Sequence, residues 1–210
     1  MKLLNLLPTL LALAAAQGES EPQYRIMEHQ SMEPPVTHQE FDNWETKGSA
    51  IFTKNQIVLV PEVADRRGAI YQKHKVETKD QWIVDVKMRI GNQDKTPRGG
   101  NGLAIHYLRS LNQEDLLKGQ FGYEKNFDGL AVYVNNILSQ KQKDSDQNQN
   151  YVQAFFNDGS QIINFMKTKD QKNCKALIRN LPEGQSFHLR IEYDKPTISI
   201  FYYDPSLQSF

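Results

Sequence analysis

The sequence is poor in cysteine and has no excess of charge of either sign. Its 210 residues include one Cys, and 25 basic side chains balance 25 acidic ones. A single Cys excludes an internal disulfide framework and a cysteine-based zinc site. The balanced charge argues against a nucleic-acid-binding protein, which normally carries an excess of Lys and Arg.

Long apolar runs are also missing after residue 16, which excludes a membrane-spanning helix over 17–210. No Asn is followed two positions later by Ser or Thr, so the chain has no N-glycosylation acceptor. The apolar run at the start, Leu3–Ala16, follows a basic Lys2 and ends in small residues. This pattern predicts a secretory signal peptide over residues 1–16, because a buried amphipathic helix would show a helical stripe.

The remainder of the chain shows the alternation of short β-strands. Residues 17–37 are polar and predict a flexible lead-in, and residues 38–210 predict one domain. Apolar residues alternate with polar ones over 82–90 and 187–193, and the pattern resumes at Ile198 after a turn at Pro196. Further predicted strands are Ile57–Val60, Leu103–Leu108, Leu130–Val134 and Val152–Phe156. So many short strands without long helical patterns favour an antiparallel sandwich.

Two other segments interrupt this pattern. Asn112–Lys118 hints at a short helix. The stretch Gln140–Gln153 is rich in Gln and Asn, and we interpret it as a solvated insertion loop, since nothing in it suggests a packed core.

Catalytic motifs are hard to find. The sequence has no Gly-x-Ser-x-Gly elbow and no Gly-rich phosphate loop with a following Lys. A sandwich glycosidase would need two carboxylates across the sugar bond, but Asp85 has apolar and basic neighbours, and Glu192 and Asp194 lie beside a turn. The five His residues are scattered, which is typical of ordinary surface or strand positions. The sequence therefore predicts that the protein is not an enzyme and leaves a secreted sandwich glycosidase as the weakest alternative.

Binding is better supported, because glycines lead into two of the predicted strands. Gly99–Gly102 precedes one strand, and Asn126–Gly129 precedes another. Asn or Asp beside glycine can hydrogen-bond sugar hydroxyls while an aromatic ring stacks on the apolar face of the sugar. If each motif is taken alone, a plain hairpin turn explains its glycines better than a binding site does.

The order of the motifs resembles the L-type (leguminous-type) lectin-like domain of the cargo receptors that cycle between endoplasmic reticulum and Golgi. The similarity covers residues 38–210. The motifs, in chain order, are Phe41-x-x-Trp44-x-x-x-Gly48-Ser49-Ala50, Ile57–Pro61, Arg67–Tyr71, Trp82–Val86, Gly100–Tyr107, Phe121-Gly122, Phe127–Val132, Asn157-Asp158-Gly159 and the segment around Cys174.

This resemblance implies an all-β fold, a concanavalin A-like antiparallel β-sandwich (jelly roll). It also implies a binding site for mannose-type glycans, usually with Ca²⁺. Asn101 stands where the family has a mannose-contacting Asp, and Asn135 and Ser139 match positions of the calcium loop. The predicted carbohydrate-binding residues are therefore Asn101, Asn135 and Ser139.

The remaining family ligand positions carry no carboxylate in this chain. Ile137 and Gln140 complete the calcium loop, and Phe165 and Thr168 stand where the family has a sugar-contacting His and a calcium Asp. Calcium takes six to eight oxygen ligands, carboxylates among them. No cofactor is therefore expected. Ca²⁺ stays an option only if Asp144 and Asp146 of the insertion substitute, and solvated loop charges explain these two residues better.

We therefore expect a lectin-like cargo receptor, or a receptor subunit, in the lumen of the endoplasmic reticulum, the intermediate compartment or the Golgi. Its sugar site would be altered and independent of calcium. The expected partners are high-mannose glycoprotein cargo or another lectin-receptor subunit, with no nucleic acid. The alternatives are a lectin-fold protein–protein module without sugar binding and, for location, secretion.

The same resemblance implies a role for Cys174, the single cysteine of the sequence. In the family, the matching cysteine bridges to a second cysteine that follows the hairpin equivalent to 198–210. The resemblance thus implies a disulfide from Cys174 to a partner beyond Phe210, and a domain whose closing strands, together with a membrane anchor, lie in a longer form of the chain.

Overall fold

Short strands make up most of the regular secondary structure. The computed structural model describes residues 24–61, 63–76, 80–91, 102–119, 121–135, 151–163, 173–175 and 184–203. The strands are β1 (Trp44–Gly48), β2 (Ile51–Phe52), β3 (Ile57–Val58), β4 (Gly68–Gln72), β5 (Gln81–Met88), β6 (Gly102–Leu108), β7 (Asp128–Asn135), β8 (Tyr151–Asp158), β9 (Asn173–Lys175), β10 (Phe187–Asp194) and β11 (Thr197–Tyr203). A short helix, α1, spans His38–Asn43, and single 3-10 turns span Glu28–Gln30 and Gln113–Asp115.

Two antiparallel sheets form the body of the domain. The larger has the order β6-β7-β8-β9, and the smaller has the order β11-β10-β5. Two strand pairs, β1–β4 and β2–β3, stand beside them, and every pairing is antiparallel. The predicted all-β antiparallel sandwich is confirmed.

The two sheets enclose a core that we call the inter-sheet core. It forms because the apolar residues of each strand recur at every second position and so share one face. Its buried members are Trp82, Leu130, Val132, Val134, Val152, Phe187, Leu189 and Ile191. The Trp82 ring stacks on Tyr107 from the other sheet, with centroids 4.7 Å apart.

The opposite face of the four-stranded sheet carries a second cluster, which we call the aromatic layer. Its buried members are Leu116, Tyr123, Phe127, Ala131, Tyr133 and Phe155. Segment 109–127 covers this face, and β4 packs beside it. The covering segment is fastened by hydrogen bonds: the Asn112 backbone N–H donates to Tyr123 Oη at 3.2 Å, and Arg67 Nη1 donates to the Leu117 carbonyl at 2.7 Å.

Most strands match their prediction, and two segments differ. The hairpin of β10 and β11 turns at Lys195 and Pro196. Proline has no backbone N–H, and within the turn no hydrogen bond between the two strands is lost. The strand predicted over 57–60 ends at Val58, shortly before Pro61, which cannot continue a hydrogen-bonded ladder. The helical hint over 112–118 corresponds to a single 3-10 turn, capped where Asn112 Oδ1 accepts from the Glu114 N–H at 3.1 Å.

The interpretation of 140–153 as a solvated loop is wrong at its C-terminal end. Strand β8 begins at Tyr151, and Val152 and Gln153 are both buried. The overlapping prediction of a strand over Val152–Phe156 is confirmed, and Gln153 lies on the same face as the buried Phe155. Residues 136–150 lie outside the described part of the chain.

Residues 24–37 belong to the predicted lead-in. They form hydrogen bonds to strand β4 and to the turn between β2 and β3. Gln72 Nε2 donates to the Gln30 carbonyl at 3.2 Å, and the Val36 N–H donates to the Lys54 carbonyl at 2.9 Å. The predicted signal peptide over 1–16 lies outside the described residues. Helix α1 opens the predicted domain at residue 38, and the sequence patterns gave no indication of it.

Candidate functional site

Asn135 is the one predicted carbohydrate-binding residue within the described part of the chain. It ends β7, where its cross-strand partners are Gly102 on β6 and Tyr151 on β8. Its side chain is buried, with 5% of the residue exposed. Asn101 directly precedes Gly102 in sequence, but Asn101 and Ser139 both lie outside the described residues. The structure thus places one of the three predicted positions at an end of the four-stranded sheet.

Gln153 is a second buried amide at this end, and sequence reasoning missed it. It is 4% exposed and pairs with Tyr133, which in turn lies two residues from Asn135 on the same face of β7. Asn135 and Gln153 are therefore diagonal neighbours, at a spacing of roughly 7–8 Å between backbones. The available signal was the phase of β8, since Gln153 lies two residues before Phe155 and therefore on the same face of the strand. The two carboxamides offer hydrogen-bond donors and acceptors without a charge.

His106 and Tyr133 lie in the aromatic layer, on the same face of the sheet as these two amides. The Tyr133 hydroxyl lies 3.5 Å from His106 Nε2, and the two rings meet edge to face with centroids 5.8 Å apart. Burial lowers the pKa of His106 to about 4 and raises the pKa of Tyr133. Both groups are therefore neutral near pH 7. His106 was predicted as an ordinary strand residue, and what distinguishes it is the non-local packing of Tyr123, Phe127 and Tyr133 around its ring.

One of the predicted calcium-loop positions, Asn135, lies within the described residues. It offers a neutral oxygen, where Ca²⁺ prefers a shell that includes carboxylates. Among the described residues, no group of three or more His, Cys, Asp or Glu side chains could hold a metal ion. Asp144 and Asp146, the candidate substitutes, lie outside that part of the chain.

Cys174 lies at the centre of β9, where it pairs with Val152 on β8. The position is at the edge of the four-stranded sheet as described. Its predicted disulfide partner lies beyond Phe210, so the disulfide stays a prediction.

The carboxylates weighed for a glycosidase have structural partners. Asp85 forms a two-point pair with Arg190, through Nε at 2.8 Å and Nη2 at 2.9 Å, and His188 Nε2 lies 3.1 Å away. The Arg190 guanidinium holds the pKa of Asp85 below its ordinary value, with a smaller contribution from His188. An acid catalyst would need a raised pKa. Asp85 has the opposite shift.

The helices among the described residues are too short and too polar to span a membrane.

Comparison with known families gives a match over nearly the whole chain. A family model described as the legume-like lectin family matches residues 23–210. The match starts 15 residues before the domain boundary predicted at residue 38 and ends at the last residue of the sequence.

Curated relatives show moderate identity. The VIP36-like protein of Bos taurus is 28% identical over 190 residues, which cover 84% of this chain and 53% of that protein. The vesicular integral-membrane protein VIP36 of Mus musculus is 24% identical over 205 residues, covering 94% of this chain and 54% of that protein. The chain thus spans about half the length of these relatives.

Solved structures of low sequence identity share the fold. The exoplasmic/lumenal domain of VIP36 in a Ca²⁺/Man-bound form superposes with a TM-score of 0.73 at 20% identity, covering 88% of this chain and 75% of that one. The legume lectin-like domain from Entamoeba histolytica gives a TM-score of 0.60 at 16% identity, covering 87% and 84%. These neighbours support the concanavalin A-like sandwich that the motif series implied.

Proposed function

The chain belongs to the legume-like lectin family, and on this premise we propose that it is a carbohydrate-binding cargo receptor or receptor subunit of the early secretory pathway. Its ligands are mannose-type glycans on secretory glycoproteins. The observation that carries the proposal is the pair of buried, neutral amides, Asn135 and Gln153, at one end of the sheet. A few polar groups placed on an otherwise apolar surface are typical of sites that orient a polar ligand.

The proposed sugar contacts are Asn101, Asn135 and Ser139, with Gln153 beside them. Each side chain can donate or accept a hydrogen bond to a sugar hydroxyl without carrying a charge. Because the one described family calcium position holds a neutral amide, the proposed binding does not require Ca²⁺. No catalytic step is part of the proposal.

The proposed setting is the lumen of the endoplasmic reticulum, the intermediate compartment or the Golgi. The predicted signal peptide supports entry to this pathway, and one matched relative carries the name vesicular integral-membrane protein. The proposed partners are high-mannose glycoprotein cargo or another lectin-receptor subunit. In a longer form of the chain, Cys174 would pair with a cysteine beyond Phe210, and a membrane anchor would follow.

A glycan-binding screen with and without a chelator tests the proposal. We expect binding to high-mannose glycans that a calcium chelator leaves unchanged. Asn135→Ala should weaken this binding about tenfold, as the loss of a hydrogen-bonding group to a buried partner does. The matched control is Asn55→Ala, an exposed amide in the β2–β3 turn, which should bind as the parent chain does. Chelator-sensitive mannose binding would contradict the calcium-independent site, and no glycan binding at all would contradict the function.

A second candidate function is a protein–protein module without sugar binding. It is favoured by the outer face of the β11-β10-β5 sheet, where Phe201 is 46% exposed and Tyr203 is 43% exposed on the edge strand β11. Pull-down from a secretory-pathway extract after enzymatic removal of glycans separates the two functions, because a protein contact survives that treatment and a glycan contact does not.

A further inference from the structure

A cleft of about 470 Å³ opens at the other end of β7 and β8, away from Asn135. Its lining residues are Asp128, Gly129, Phe156, Asn157, Asp158 and Gln161. Asp128 begins β7 and Asn135 ends this eight-residue strand, so the two ends are roughly 23 Å apart. The cleft is thus separate from the site of the proposed function. It is built from the two Asp-Gly motifs of the sequence, 128–129 and 158–159.

Phe156 gives this cleft an exposed aromatic wall. It lies on the face of β8 that points toward the inter-sheet core, in phase with the buried Val152, yet it is 68% exposed. Its cross-strand partner Leu130 is only 3% exposed. An apolar ring left in water beside polar groups is the arrangement on which the apolar face of a sugar ring stacks.

The polar groups beside this ring are held in place by local contacts. Asp158 Oδ1 accepts from the Ser160 N–H at 3.0 Å and from the Ser160 hydroxyl at 2.5 Å. Asn157 Nδ2 donates to the Gln161 carbonyl at 2.7 Å. These hydrogen bonds fix the planar side chains before a ligand arrives, so little entropy is lost on binding. Fixed carboxylate and amide groups suit the closely spaced hydroxyls of a sugar.

The floor of the cleft lacks a side chain. Gly129 has a φ of 142°, a backbone conformation that other residues rarely adopt, and a Cβ there would collide with the Tyr107 carbonyl oxygen. Glycine is therefore required here by the close approach of the β6 backbone, and this requirement fixes the course of β7 beneath the cleft.

We propose that this cleft is a second carbohydrate-binding site, which takes a neutral hexopyranose. The apolar face of the sugar lies on Phe156, and its hydroxyls bond to Asp158, which lies two residues further along β8 and so on the same face of the sheet. A divalent cation fits the cleft less well. Only two carboxylates line it, and Asp128 already pairs with Arg109 Nε at 3.3 Å. The inference goes beyond the proposed function because no residue is shared with the Asn135 site.

Backbone amide NMR of the full chain tests the second site. The probes are methyl α-D-mannopyranoside, methyl β-D-glucopyranoside and methyl β-D-galactopyranoside, each titrated separately. We expect at least one of them to shift the Gly129 and Gly159 amide signals in a saturable manner. Phe156→Ala should weaken that binding about tenfold, the loss expected for one stacking wall. The matched control is Phe201→Ala, an exposed Phe on the other sheet, which should leave the titration unchanged.

The outcomes distinguish this proposal from the function proposed above. Shifts confined to Asn135 and its neighbours would uphold that function and overturn the second site. Shifts at Gly129 and Gly159 in an Asn135→Ala variant would uphold the second site alone. The proposal is also overturned if none of the three glycosides shifts Gly129 and Gly159, if Phe156→Ala and Phe201→Ala weaken binding equally, or if calcium alone produces the shifts.

Discussion

The two faces of the four-stranded sheet are built from different residue types. The face toward the β11-β10-β5 sheet packs Leu130, Val132 and Val134 of β7 into the inter-sheet core. The opposite face packs Ala131 and Tyr133 of the same strand into the aromatic layer, and it also contains Asn135, Gln153 and His106. A single strand therefore supplies an aliphatic face and a face with polar and titratable groups.

The inter-sheet core stabilises the fold, whereas the aromatic layer also holds the polar groups of the proposed site. Aliphatic packing gains free energy only by excluding water, so the inter-sheet core can tolerate no polar group without a partner. The aromatic layer combines apolar rings with a few polar groups, as in many ligand sites. Three substitutions should show how far the two faces differ.

Of the three substitutions, Leu189→Ala should lower the free energy of unfolding most, because it leaves a cavity in the inter-sheet core. Leu189 is fully buried, and such a truncation lowers the free energy of unfolding by about 3 kcal/mol. Urea denaturation measures the loss. Leu111→Ala, at a residue 36% exposed, is the control and should change stability by less than about 0.5 kcal/mol. Equal effects of the two variants would mean that the core is not where we place it.

Lowering the pH should reduce the free energy of unfolding, because His106 in the aromatic layer resists protonation in the folded protein. Its pKa of about 4 in the folded protein lies below the ordinary 6.5, so between these values the unfolded chain binds more protons. Stability is therefore fully present above about pH 6.5 and falls as the pH drops toward 4. At pH 5 the loss is about 2 kcal/mol relative to pH 8.

His106→Phe is the matched variant for this pH dependence, since it keeps a ring in the aromatic layer and cannot be protonated. Urea denaturation of both proteins at pH 8 and pH 5 measures the difference. The parent should lose more stability than the variant between the two pH values. If both proteins lose the same amount, His106 is not the group that titrates.

Ala131→Val should have the smallest of the three effects, and it acts by overpacking. Ala131 is fully buried and lies across the strands from His106 and Phe155. Two added methyl groups would push those rings apart, at a cost of about 1.5 kcal/mol. Ala154→Val, at a partly buried alanine on the opposite face of the sheet, should cost less in the same denaturation measurement. A stabilised Ala131→Val protein would reveal unfilled space in the aromatic layer.

The sequence predicted the inter-sheet core better than the aromatic layer, for a physical reason. Strands β5, β10 and β11 expose one face to water, so their period of two is visible along the chain. Both faces of β7 are covered from Leu130 to Asn135, as are those of β8 from Val152 to Phe155. There the polar Gln153 belonged both to a predicted strand and to a predicted loop. Asn135 is a predicted site residue only through the family resemblance, which matches it to a calcium position, and that role stays a prediction. The low pKa of His106 depends on rings up to 27 residues away, which no local pattern records.

The position of β10 has a consequence for the order in which the chain folds. Within the described residues, β10 pairs with its neighbour β11 and with β5, and its contact to β5 joins Arg190 to Asp85 across 105 residues. At a synthesis rate of about 5–20 residues per second, β5 leaves the ribosome roughly 5–20 s before its partner. During that interval the backbone edge of β5 lacks the hydrogen bonds that β10 later supplies. The nascent chain therefore presents an unsatisfied strand edge, to which a chaperone could bind for a defined period.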